Sequence, residues 1–139
     1  MICFPKGADN SVVIDAIHNW LIMLVNREYN KAFESVGYLV SFDKDGADCI
    51  QQAIENYRND EIYPNVTEFK VTDWKKAVGG NPNPVHSVNW YLPNSVGCAG
   101  AVIFDLPLNE KWSDLQADFV ILDAGDHYSL MLEEISKSI

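Results

Sequence analysis

Three histidines, His18, His86 and His127, are the side chains of this sequence best suited to proton transfer near neutrality. His86 heads a run in which it alternates with Val88 and Trp90. It could serve as a general base if a carboxylate oriented its ring, with Asp105 the candidate partner. His18 falls beside the apolar face of a helical pattern, the usual setting of a hydrogen-bonded structural histidine. His127 follows a turn, where exposure is expected. Ser113 lies in Trp-Ser-Asp and not in a GxSxG elbow. Cys98, after Gly97, suits a small core residue better than an activated thiolate. Gly79-Gly80 is not followed by the Lys and Ser/Thr of a phosphate loop.

Metal chemistry finds no purchase either. Cys3, Cys49 and Cys98 are widely spaced, without CxxC or HExxH, so neither a zinc site nor a redox dithiol is expected. The run from Asp43 to Asp48 has the acidic look of a calcium loop. Counted from Asp43, however, Asp48 takes the sixth place, where glycine is needed, and Ile54 the twelfth, where glutamate is needed. A turn followed by a helix cap accounts for it. No metal and no cofactor are expected.

Charge is more informative. Twenty acids against ten bases give a net charge of −10. That excludes nucleic acid, whose phosphates require a Lys/Arg stripe, and disfavours an anionic membrane. A basic protein partner is favoured. The acids gather late: residues 99–139 carry eight acids and two bases, whereas residues 63–98 carry two acids and three bases. Alternation sends Asp118 to the sheet face opposite Phe119, and Asp114, Asp123 and Asp126 are expected at turns. These four acids, with Trp112 and Trp90 as aromatic anchors, form the candidate partner-binding set. Residues 20–25, the longest strongly apolar stretch, are too few to cross a bilayer, and the first ten residues lack the pattern of a signal peptide. Free thiols fit a reducing compartment, so a cytoplasmic single domain over 1–139 is expected.

The elements that must position these residues follow from the periodicity. After Asp9-Asn10-Ser11, any of which can cap, Val13, Ala16, Ile17, Trp20, Leu21 and Leu24 mark one helix face, widened by Ile14, Ile22, Met23 and Val25. A second helix starts near Arg27, turns Tyr29, Ala32, Phe33 and Val36 inward, and stops at Gly37. Residues 38–42 form a short extended run, and a third helix carries Cys49, Ile50, Ala53, Ile54 and Tyr57. The period then changes to two. Strands are expected around Phe69 and Val71, over 85–92, 98–106, 115–122 and 127–135, with a hairpin turn at Asp123-Ala124-Gly125-Asp126. The order predicts an α+β fold: two or three N-terminal helices packed on a strongly curved, mostly antiparallel sheet of about four to six strands.

This order of elements resembles the nuclear transport factor two-like superfamily, whose helices pack in the concavity of a bent, cone-shaped sheet. The run from Asp105 to Leu115, Asp-Leu-Pro-Leu-Asn-Glu-Lys-Trp-Ser-Asp-Leu, looks like a signature of small bacterial proteins. The likeness implies a structural hairpin in which Pro107 and Asn109 shape the turn and Trp112 covers the sheet end. Some proteins of this cone fold are immunity proteins that neutralise a toxin domain; others are enzymes with a histidine and a carboxylate inside the cone. Two function classes are therefore expected: a non-catalytic protein-binding domain of the immunity type, facing a basic toxin, and a cone enzyme or small-molecule binder using His86 and Asp105. A homodimer through the open sheet is a further expectation.

Overall fold

The computed structural model describes residues 2–39, 45–91 and 97–138. Asp9 is extended, and its Oδ1 accepts the Val12 N–H at 3.2 Å, which opens α1 over Asn10–Val25. Val13, Ile17, Trp20, Leu21 and Leu24 are buried. Ile22 and Val25 are 45% and 36% exposed, so the covered face is narrower than the apolar pattern predicts. Helix α2, Tyr29–Val36, buries Ala32 and Val36 and ends at Gly37, whose φ of 68° is open to a residue without Cβ. Helix α3, Gly46–Glu55, is opened by Asp45, whose Oδ1 accepts the Ala47 N–H at 3.0 Å. A Cβ on Gly46 would stand 2.0 Å from the Phe33 ring, which is why α2 and α3 can pack so closely there.

Among the described residues five strands form one antiparallel sheet in the order β1-β5-β4-β3-β2: β1 Cys3–Pro5, β2 His86–Trp90, β3 Cys98–Leu108, β4 Lys111–Asp123 and β5 His127–Lys137. The β3–β4 hairpin turns through Asn109 and Glu110, with φ of 52° and 65°, the type I′ pattern whose twist matches the strands. Register shifts interrupt β3 between Cys98 and Gly100 and between Asp105 and Pro107, and interrupt the β4–β5 ladder at Asp118/Phe119. Such bulges bend strands, and the sheet curls into a half-barrel.

The three helices lie against its inner face. Trp20 of α1 meets Phe119 of β4 edge to face at 5.1 Å. Val102, Phe104, Ala117, Phe119, Ile121, Leu130 and Leu132 are buried around them. Fully burying a side chain of this size stabilises a fold by roughly 1.5–3 kcal/mol. The concavity is thus occupied by the protein's own core.

Several expectations are corrected. Strand β1 was not expected: it is three residues long and owes its conformation to pairing with β5. Phe69 and Val71 are buried and Lys70 exposed, as alternation predicts, but the segment is no ladder strand and contributes only a bridge from Val71 to Leu108. Much of its main chain is held instead by the hairpin turn. Asn109 Oδ1 accepts the Lys70 N–H (3.1 Å), Asn109 Nδ2 donates to the Glu68 carbonyl (3.0 Å), and the Glu110 N–H donates to Thr72 Oγ1 (2.7 Å). Pro107 lies in β3 opposite Trp112, beyond the bulge, and not in the turn. Strand β4 begins at Lys111 and so contains Asp114, which was expected at a turn. Of the run 38–42, residues 40–42 lie outside the described residues, as do Asp43 and Lys44 of the acidic run.

Candidate functional site

Five elements bring aromatic rings together around His86. His18 of α1 stacks on Trp74 at 4.2 Å and meets Phe104 of β3 edge-on at 5.9 Å. His86 of β2 lies 4.2 Å from Phe104 and 4.5 Å from Trp112 of β4. Trp74 sits on a short 3-10 turn, Trp74–Lys76, capped by Asp73. Part of the His86 ring reaches solvent, while Phe104 and Trp112 pack against it. Burial pushes both imidazoles below their ordinary range; Asp15 opposes this at His18, and the Asp105 carbonyl and charge oppose it at His86.

The two residues of the expected dyad are neighbours without being a dyad. His86 Nε2 lies 3.3 Å from the main-chain carbonyl oxygen of Asp105. The Asp105 carboxylate, only 2% exposed, turns elsewhere: its Oδ2 accepts the Val85 N–H at 2.7 Å and Asn81 Nδ2 at 3.1 Å. It pins the Gly79–Pro84 turn cluster to the sheet, a structural duty. Desolvation raises its pKa and the Val85 N–H offsets part of that rise. The carboxylate therefore anchors a loop, and a main-chain oxygen orients the imidazole.

The six expected partner-binding residues fall at different places. Asp114 and Asp123 are nine residues apart on β4, on the order of 30 Å at about 3.3 Å per residue. Asp114 accepts a hydrogen bond from the Tyr57 hydroxyl. Asp123 is paired with Lys6 at 2.9 Å, and Asp126 with the neighbouring His127 at 2.6 Å. These partners lower the pKa of both exposed carboxyls, chiefly by side-chain hydrogen bonding. Trp90 lies at the Asp123 end of the sheet, donating from Nε1 to Asn10 Oδ1 at 2.6 Å and packing 5.6 Å from Tyr128. Trp112 lies at the Asp114 end, where its N–H donates to the Gly79 carbonyl at 3.1 Å.

Asp118 is different. It sits on the sheet face opposite the helices, with Glu134 directly across on β5. Glu133, the residue inserted by the bulge, adds a third acid beside them. Burial raises the Asp118 pKa first, and the charges of Glu134, Glu133 and Asp105 raise it further. No Lys or Arg forms an ion pair with these acids among the described residues. Sequence reasoning missed Glu133 and Glu134, because strict alternation puts consecutive residues on opposite faces. Only the bulge brings both beside Asp118.

Surface recesses occur beside Arg27: one of about 280 Å³ between Arg27, Glu68, Phe69, Lys70 and Asn109, and one of about 420 Å³ reaching Glu55 and Thr67. Both mix charges: two bases and one acid line the first, one base and two acids the second. Among the described residues no group of three or more His, Cys, Asp or Glu is placed to hold a metal ion. No described helix is long and apolar enough to cross a membrane. No family model matches the chain, and no curated protein or solved structure matches it either.

Proposed function

We propose that this protein is a non-catalytic binding domain that docks a basic protein through the convex face of its sheet, in the manner of an immunity protein covering a toxin. The observation that carries this reading is the acidic patch of Asp118, Glu133 and Glu134. Like charges directly opposite on neighbouring strands cost stability. Lys or Arg side chains from a partner would relieve that repulsion, so binding would gain what the isolated fold loses. Beside the patch, Ile103, Val120 and Met131 are half-buried on the same face and supply apolar ground. The net charge of −10 would speed encounter at low salt. The likeness to the cone-shaped superfamily belongs to this proposal, for which three N-terminal helices against a curled sheet are a requirement. Cys3, Cys49 and Cys98, without CxxC spacing, fit a reducing compartment, and the cytoplasm is the proposed location.

The test is a pull-down and binding titration at low and high salt, beginning with any basic protein encoded beside this one. The wild-type chain is expected to capture a basic partner with salt-sensitive affinity. The triple variant Asp118→Asn, Glu133→Gln, Glu134→Gln should slow association about tenfold or more. Failure to recover a basic partner at low salt, or a triple variant that binds unchanged, would overturn the proposal.

A further inference from the structure

The two margins of the sheet are built differently. Strand β1 is short, ends in Pro5 and is followed by Lys6, the features that protect an exposed edge from pairing. Strand β2, the opposite margin, has none of them. Its register against β3 runs unbroken from His86 to Trp90, with no bulge, proline or charge. Residues 77–104 contain no Asp, Glu, Lys or Arg at all, in a chain with thirty such residues. Val85, Trp90 and Tyr91 at this margin are 40%, 38% and 47% exposed.

The hydrogen-bond phase shows what the margin offers. The Asp105 N–H donates to the Val85 carbonyl at 2.8 Å, and the Tyr91 N–H to the Ala99 carbonyl at 2.9 Å. Odd-numbered residues from 85 to 91 therefore turn their main chain toward β3. Alternation sends the N–H and C=O groups of His86, Val88 and Trp90 the other way, beyond the last strand. Among the described residues none of these six groups has a partner.

We infer that β2 is a strand-addition edge occupied by the β2 of a second copy, paired antiparallel about a two-fold axis at Val88. In that register Val88 faces its own copy, and His86 faces the copy's Trp90. All six free groups are then paired, and two half-barrels join into one continuous sheet. The absence of charge selects this occupant. Two molecules of net charge −10 repel one another elsewhere, whereas here they meet no like charge, and a basic partner would find no acid to pair with.

Sedimentation velocity on the full chain over a range of concentrations should show a dimer. Amide exchange should show His86, Val88 and Trp90 gaining protection as concentration rises, with Ser87, Asn89 and Tyr91 protected throughout. The register sets Ser87 beside the copy's Asn89, both with side chains off the main-chain ladder. Ser87→Glu with Asn89→Glu should weaken dimerisation about tenfold, whereas Ser87→Glu with Asn89→Lys should restore it. Protection of Ser87 and Asn89 amides in each variant confirms that the fold persists. A chain monomeric at every concentration, or a dimer indifferent to both charge pairs, would overturn the inference. Neither result bears on the acidic patch, which lies across β4 and β5.

Discussion

The Tyr57 hydroxyl donates to Oδ1 of Asp114, fastening the residues just past α3 to the first part of the hairpin strand β4. The same ring meets Tyr63 and Phe69 edge to face at 5.9 and 5.0 Å. Tyr63 in turn donates to the carbonyls of Leu108 and Lys111, at 2.8 and 3.0 Å. Tyr57→Phe leaves the half-buried Asp114 carboxylate without this donor. It should cost about 2 kcal/mol in urea unfolding, since hydrogen bonds to charged groups are worth roughly 1.5–3 kcal/mol.

Burial raises the pKa of both phenols, with Asp114 adding to the rise. The fold therefore favours the neutral ring. This stability is fully present below the ordinary tyrosine value of about 10 and is lost as pH climbs above it. Alkaline unfolding of the wild type should accelerate in that range. The double variant Tyr57→Phe, Tyr63→Phe should unfold with a flatter alkaline limb; equal slopes would exclude the assignment.

Asp118→Asn removes one member of the like-charge group on β4 and β5. It should stabilise the chain at neutral pH by about 0.5 kcal/mol, within the roughly 0.2–1 kcal/mol of a cross-strand pair, and the gain should shrink with added salt. Because the Asp118 pKa is raised, the wild type recovers this stability as pH falls through the folded value toward the ordinary carboxyl range, so the difference should vanish in acid. The same substitution should weaken capture of a basic partner.

Much of this fold is legible in the residues, and the failures have identifiable causes. Asp9 and Gly37 mark helix ends by local chemistry, and the Asp123–Asp126 turn marks a hairpin; each depends on neighbours in sequence. Strand β1 and the Phe69 segment depend on distant partners, β5 in one case and the Asn109 side chain in the other. The ring cluster draws His18, Trp74, His86, Phe104 and Trp112 from five elements, and no linear spacing encodes that. The acidic patch was half visible: Asp118 followed from alternation, while bringing Glu133 and Glu134 together beside it needed the bulge.

The histidines give an acid-side prediction of opposite sign to that of the tyrosines. Burial lowers the pKa of His18 and His86, so the unfolded chain binds their protons more readily. Their contribution is present above the ordinary imidazole value of about 6.5 and is lost as pH falls below it, toward the folded values. Thermal melts should show stability declining over that window. In the variant His18→Phe, His86→Phe the decline should be smaller, and an unchanged profile would assign the acid sensitivity to other groups.

Glycine should act in opposite ways at a turn position and a strand position. Glu110 holds a φ of 65° in the hairpin turn, and its N–H, which Thr72 receives, would survive substitution. Glu110→Gly should therefore stabilise by about 1 kcal/mol, the lower end of the left-handed penalty. At Gly100 a Cβ would stand 2.6 Å from the Asn89 carbonyl oxygen, so Gly100→Ala should push β2 from β3 and cost about 1–3 kcal/mol. Paired chemical melts would test both signs.

Cys3–Pro5 rests on β5, a strand far along the sequence, with Cys3 opposite Ser129 and Lys6 reaching Asp123. On a ribosome β1 must wait until β5 has emerged before the two can pair. Closing so long a loop is slow relative to local hairpin formation. The β3–β4–β5 meander can therefore assemble around α1 before the opening residues take their place, making β1 a late clasp and not a nucleus.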